Sequence, residues 1–82
     1  MKNEIKPMHD CWVSFHYKTY QGQAKIYDKA SIYGIGSGRV SKLSINNSKG
    51  KWVFNYDRGL DFSKLSSKAL IGILDFITTP KE

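Results

Sequence analysis

Eighty-two residues, 40% of them hydrophobic and eleven aromatic (five Tyr, four Phe, two Trp), suffice for one packed domain and exclude both two cores and intrinsic disorder. The single cysteine, Cys11, excludes an intrachain disulfide and a zinc site built mainly from cysteines, which suits a reducing compartment. The net charge of +6 is gathered in the middle: between Lys18 and Lys51 seven basic residues stand against Asp28 alone, while the rest is balanced. Such clustering attracts polyanions, or merely keeps a lysine-rich surface solvated.

Met1 to Asp10 is polar, contains Pro7 and shows no periodicity, so residues 1–10 read as a flexible lead-in to a single small domain over 11–82. The segment has no apolar run of the signal-peptide kind. The longest apolar stretch, Ala69 to Leu74 with Gly72 inside it, falls far below the roughly 20 residues that cross a bilayer. A cytoplasmic protein without a membrane partner is expected.

From Cys11 to Tyr20 the chain alternates, with Cys11, Val13, Phe15 and Tyr17 on one face and Trp12, Ser14, His16 and Lys18 on the other. Gln21 and Gly22 read as a tight turn, and Gln23 to Asp28 as the returning strand, with Ala24 and Ile26 inward and Lys25 and Tyr27 outward. A long connection follows through Gly34, Gly36 and Gly38. Arg39 to Asn46 alternates again. Placing Leu43 and Ile45 inward puts Arg39 and Ser41 on the same side, and Val40, Lys42 and Ser44 outward. After a turn at Asn47, Ser48, Lys49 and Gly50, a fourth strand carries Trp52, Phe54 and Tyr56 inward.

Asp57, Arg58, Gly59 and Leu60 break the alternation, and Ser63, Ser66 or Ser67 could cap a helix. Leu70, Ile73, Leu74 and Ile77 then keep the i, i+3, i+4, i+7 spacing, with Phe76 widening the stripe and Thr79 and Pro80 ending it. The predicted fold is α+β: a four-stranded antiparallel sheet with one C-terminal helix on one face, in the order ββββα.

Catalysis is not expected. In the string His9, Asp10, Cys11, with His16 beyond, alternation sends Cys11 and His16 to opposite faces, and a buried structural cysteine with surface histidines is the commoner arrangement. A metal site from His9, Cys11 and His16 fails for the same reason and lacks a fourth ligand. No cofactor is implied. Asp57 and Asp61 read as capping or ion-pairing residues and not as a catalytic pair.

Two binding surfaces remain. Gly34, Gly36 and Gly38 can turn their amides towards an anion, with Arg39 beside them, although the GxGxG spacing fits neither glycine-rich nucleotide fingerprint and a plain connection is the commoner role. The sheet face away from the helix gathers Trp12, His16, Lys18, Lys25, Tyr27, Val40, Lys42, Val53 and Asn55. Aromatics interleaved with cations suit single-stranded nucleic acid, for which Trp12 and Tyr27 would stack bases and Lys18, Lys25 and Lys42 would follow phosphates. The alternative is an apolar patch of Trp12, Tyr27, Val40 and Val53 covered by another protein or a second copy in a homodimer.

The strings AKIYD (Ala24 to Asp28), SIYGIGSGRVSKLSI (Ser31 to Ile45) and NYDRGLD (Asn55 to Asp61) resemble a family of short phage and prophage proteins of Gram-positive bacteria. Its pattern runs GIxxGR[IV]SKL and then NYDRG. Leu60 stands where that pattern often has an aromatic residue, and Lys29-Ala30 where an acidic residue and proline are common. The resemblance covers about half the chain. It implies a mobile-element setting in a bacterial host cytoplasm and no particular chemistry; inhibitors of host defence are among small phage accessory proteins. Three function classes follow: a non-enzymatic nucleic-acid binder, a protein-binding inhibitor of a host defence or nucleic-acid-processing complex, and a small anionic-ligand binder on the glycine loop and Arg39.

Overall fold

The computed structural model describes residues 3–30, 32 and 34–78. Six strands follow in order, each antiparallel to the next: β1 (Glu4–Pro7), β2 (Trp12–Tyr17), β3 (Tyr20–Ile26), β4 (Val40–Asn46), β5 (Trp52–Asp57) and β6 (Leu60–Ser63). The helix α1 (Ser67–Thr78) packs on one face of this meander. The α+β class and the single C-terminal helix are as the sequence predicts, whereas the sheet has six strands and not four.

Both additional strands are four-residue edges, too short for a period to stand out. β1 comes from the segment read as a lead-in: it pairs Glu4 with His16 through Pro7 with Val13, and places only Ile5 against the core. Pro7 is tolerated because an edge strand has a side without hydrogen bonds. β6 comes from the segment read as a break, follows the Arg58-Gly59 turn and buries none of its residues.

The β2–β3 turn also sits elsewhere than the sequence suggests. Lys18 and Thr19 make it, with Lys18 at φ 55° and Tyr17 opposite Tyr20. Gly22 lies inside β3 for a different reason: a Cβ there would stand 1.9 Å from the Ser44 carbonyl oxygen, so the close approach of β4 requires its absence.

The core lies between sheet and helix. Phe15, Ala24, Leu43, Ile45 and Phe54 supply the sheet side, and Ile73 and Ile77 the helix side, with Leu70, Leu74 and Phe76 packed around them. The helix starts where the Ser66 hydroxyl accepts the Ala69 N–H at 3.1 Å, an N-cap contact. Its apolar stripe is the one legible in the sequence. The proposed stop at Thr79 and Pro80 lies outside the described residues.

Two β-bulges overturn the predicted faces of several residues. In β4, Lys42 opposes Lys25 but Val40 opposes Ile26, so Ser41 is an extra residue and Val40 turns into the core, 2% exposed, instead of outward. In β5, Phe54 opposes Ile45 but Trp52 opposes Asn46, so Val53 is extra and Trp52 points away from the helix, 57% exposed, instead of inward. Val53 packs half-buried against the core. A bulge shifts parity by one residue, which is what strict alternation cannot anticipate.

The glycine loop folds on itself. Gly38 donates its N–H to the Ile35 carbonyl at 3.0 Å, Gly36 sits at φ 60°, and a Cβ on Gly34 would stand 2.0 Å from the Gly38 carbonyl oxygen. This compact turn delivers Arg39 to the end of α1, where Nη2 donates to the Thr78 carbonyl at 2.9 Å. A helix C-terminus presents unpaired carbonyls and partial negative charge, so a guanidinium there satisfies both.

Candidate nucleic-acid interface

With α1 on one side, no element among the described residues covers the opposite face of the sheet, and the strand registers order its side chains into three cross-strand rows. The first runs Trp12, Lys25, Lys42, Asp57; the second Lys6, Ser14, Gln23, Ser44, Asn55, Phe62; the third Glu4, His16, Gln21, Asn46, Trp52. The face is thus hydroxyl- and amide-rich in its middle. An aromatic ring stands at each of two diagonal corners.

Trp12 and His16 are four residues apart on β2, and β2 and β5 are three strands apart. At about 3.3 Å per residue and 4.8 Å per strand the two indoles lie on the order of 20 Å from one another. Between them the third row borders a shallow depression of about 450 Å³ lined by His16, Gln21, Gln23, Ser44, Asn46 and Trp52 among others. Ser44 donates its hydroxyl to Asn55 Oδ1 at 2.9 Å, and Asn55 donates Nδ2 to Asp61 Oδ2 at 3.0 Å, so the middle row is held in place at one end. His16 Nε2 is buried without a partner beside this depression.

At the other end, the first row opens into a cleft of about 700 Å³ where Lys25, Lys29, Lys42 and Arg58 converge around Tyr27 and Ser41. Lys25 Nζ stands 5.4 Å from the centre of the Tyr27 ring, within cation–π range. Lys42 Nζ is 3.5 Å from Asp57 Oδ1 in an ion pair open to water. The β4 bulge shapes the cleft: Ser41, the extra residue, is 4% exposed and its Oγ has no partner, while its carbonyl accepts the Arg58 N–H at 2.9 Å. That last bond holds the β5–β6 turn against β4.

Of the five residues expected on the binding face, the fold brings four together. Trp12, Lys25 and Lys42 share a row, and Tyr27, just beyond β3, stands exposed beside Lys25. Lys18 goes elsewhere: in the left-handed turn its Nζ lies 5.4 Å from the Tyr17 ring, which belongs to the helix-facing side with Phe76. The anion-binding candidates are also separate from the cleft. Gly34, Gly36 and Gly38 form the turn described above, the Gly38 amide is taken by Ile35, and Arg39 is taken by Thr78.

Cys11 departs from expectation by being exposed, not buried. Asp10 and Cys11 have φ of 52° and 69° and turn the chain from β1 into β2, which puts Cys11 outside the strand whose parity would have buried it. Trp52, Ser41, Lys29 and Arg58 are the site residues that alternation did not find. The first two depend on bulges, and the other two lie in turns, where periodicity carries no information.

No helix among the described residues is long and apolar enough to cross a membrane. A family model described as Domain of unknown function (DUF7678) matches residues 11–78, which takes in every element but β1. No curated protein and no solved structure matches the chain.

Proposed function

The chain belongs to the DUF7678 family, and we propose that it is a non-enzymatic module that binds single-stranded nucleic acid across its open sheet face. The observation that carries this reading is the layout of that face: Trp12 and Trp52 at opposite corners, amides and hydroxyls between them, and Lys25 and Lys42 leading into a cationic cleft. Each part corresponds to a part of a single strand. Indoles offer a stacking surface to any base, Gln21, Gln23, Asn46 and Ser44 offer donors and acceptors to base edges, and the lysines meet the backbone. A duplex would present its bases stacked and paired, out of reach of a flat sheet. The setting we infer is the cytoplasm of a bacterial host, in a phage or prophage accessory role, on the strength of the sequence resemblance.

A protein-binding role, as an inhibitor of a host defence or nucleic-acid-processing complex, is supported by a separate observation. The edge strand β6 is exposed throughout and carries Leu60, 63% exposed, and Phe62. An unpaired edge with apolar side chains can accept a strand from a partner. Recovery of tagged protein from bacterial cells with and without nuclease separates the two. The nucleic-acid reading predicts co-purified strands that are lost on Lys25→Ala with Lys42→Ala, and a stoichiometric protein complex that survives nuclease and those substitutions would replace it.

A further inference from the structure

We propose that the cleft at the β4 bulge is a binding site for a phosphate dianion, the group carried at the end of a nucleotide or a strand. The inference deepens the nucleic-acid reading and rests on it for the identity of the ligand, while the geometry of the cleft stands apart from the stacking face. Lys25, Lys29, Lys42 and Arg58 reach it from β3, the loop after β3, β4 and the β5–β6 turn, and Asp28 is the acid among the lining residues. Among the described residues of the cleft, counting Asp57, the partner of Lys42, cations outnumber carboxylates. A phosphodiester brings one negative charge to that excess. A terminal phosphate brings nearly two and gains more from it.

Ser41 gives the site its second, independent mark. Its side chain is buried under the cleft and its hydroxyl has no hydrogen-bond partner, although buried hydroxyls are nearly always paired. A phosphate oxygen in the cleft would accept that proton and remove the desolvation penalty that the free protein carries. Ser41 is the residue that the bulge inserts between Val40 and Lys42, at the cation-lined end of the sheet. The Lys42–Asp57 pair is exposed to water, so Lys42 can exchange a carboxylate for a phosphate at little cost.

The test compares two single-stranded octanucleotides identical except for a 5′ phosphate, and a nucleoside 5′-monophosphate against its nucleoside, by tryptophan emission and calorimetry at fixed salt. The phosphorylated member of each pair should bind at least about tenfold more tightly at pH 7.5. That gain should shrink at pH 5.5, where the second proton (pKa about 6) returns to the phosphate. Ser41→Ala should lose most of the gain while unfolding at no lower temperature than the wild type, because the hydroxyl it removes has no partner in the free protein; Lys29→Gln should reduce the gain severalfold. Equal binding of the two octanucleotides, or a full gain retained in Ser41→Ala, overturns the cleft and leaves the stacking face standing. If neither octanucleotide binds, the nucleic-acid reading falls and the mononucleotide pair alone decides: preference for the monophosphate upholds the cleft, and its absence overturns it.

Discussion

Replacing Arg39 by Met removes one cation and one hydrogen bond while keeping most of the side chain's length, and the structure gives both losses a size. The guanidinium donates to the Thr78 carbonyl at 2.9 Å in a half-buried position. A hydrogen bond with one charged partner contributes about 1.5–3 kcal/mol, and a cation at a helix C-terminus about 0.3–1 kcal/mol, part of which is the same interaction counted twice. A loss of about 2 kcal/mol follows. In a domain of this size the whole stability is on the order of 4–12 kcal/mol, and each kcal/mol moves Tm by about 4–8 °C, so Tm should fall by about 8–16 °C. Thermal unfolding followed by circular dichroism at 222 nm measures this directly. Phosphate affinity should be unchanged in the same protein, since Arg39 is committed to the helix and lies outside the cationic cleft. An unaltered Tm together with lost anion binding would refute the helix-cap role and return Arg39 to the glycine loop as an anion ligand.

Gly22→Ala would press a Cβ to 1.9 Å from the Ser44 carbonyl oxygen and force β3 and β4 apart, so a loss of about 3 kcal/mol is expected in urea unfolding; a variant of wild-type stability would mean the strands are not paired in this register. Truncation before α1 should expose Phe15, Ile45 and Phe54 and abolish cooperative unfolding, and a sharp melt from a monomeric truncated chain would contradict the packing. Trp52→Ala should leave stability within about 0.5 kcal/mol, because the indole is largely in solvent, yet weaken oligonucleotide binding by about 1–3 kcal/mol with the salt slope unchanged. Lys42→Ala should instead lower the slope of log K against log salt by about one unit, and an unchanged slope would remove Lys42 from the phosphate contacts.

How far the sequence reveals this molecule depends on which regularity each residue obeys. Helix α1 was legible because its stripe repeats at helical spacing for two turns and has a serine before it. Alternation also located most core residues of β2 to β5: Phe15, Ala24, Leu43 and Ile45 each sit between polar neighbours, and Val13 and Phe54 keep the same parity. What alternation could not show was where it is interrupted. Val40 and Trp52 exchange the faces assigned to them because Ser41 and Val53 are inserted between hydrogen-bonded pairs, and nothing in a string of β-formers marks an inserted residue.

The edges were hidden for another reason. β1 and β6 are four residues long and largely exposed, and their pairing is supplied by β2 and β5 and not by burial of their own side chains. For the candidate site, parity assigns Trp12, Lys25 and Lys42 to the open face, where the strand registers align them in one row, and Tyr27 stands beside Lys25 although it lies beyond the strand end. Lys18 leaves that face with the turn that carries it. The remaining parts of the cleft, Lys29, Arg58 and Ser41, come from two turns and a bulge, so only the three-dimensional structure gathers them.

An open face that binds single-stranded nucleic acid by stacking at two corners and charge at one end carries its own reporters, Trp12 and Trp52. Titration of the protein with a single-stranded and a duplex oligonucleotide of the same sequence, read by tryptophan emission across a series of salt concentrations, tests it most directly. The single strand should shift the emission, bind more tightly than the duplex and keep that preference as salt rises, because stacking is far less salt-sensitive than phosphate contact. Unmoved tryptophan emission with both strands, and affinity no better than any protein of charge +6 would show, would contradict it.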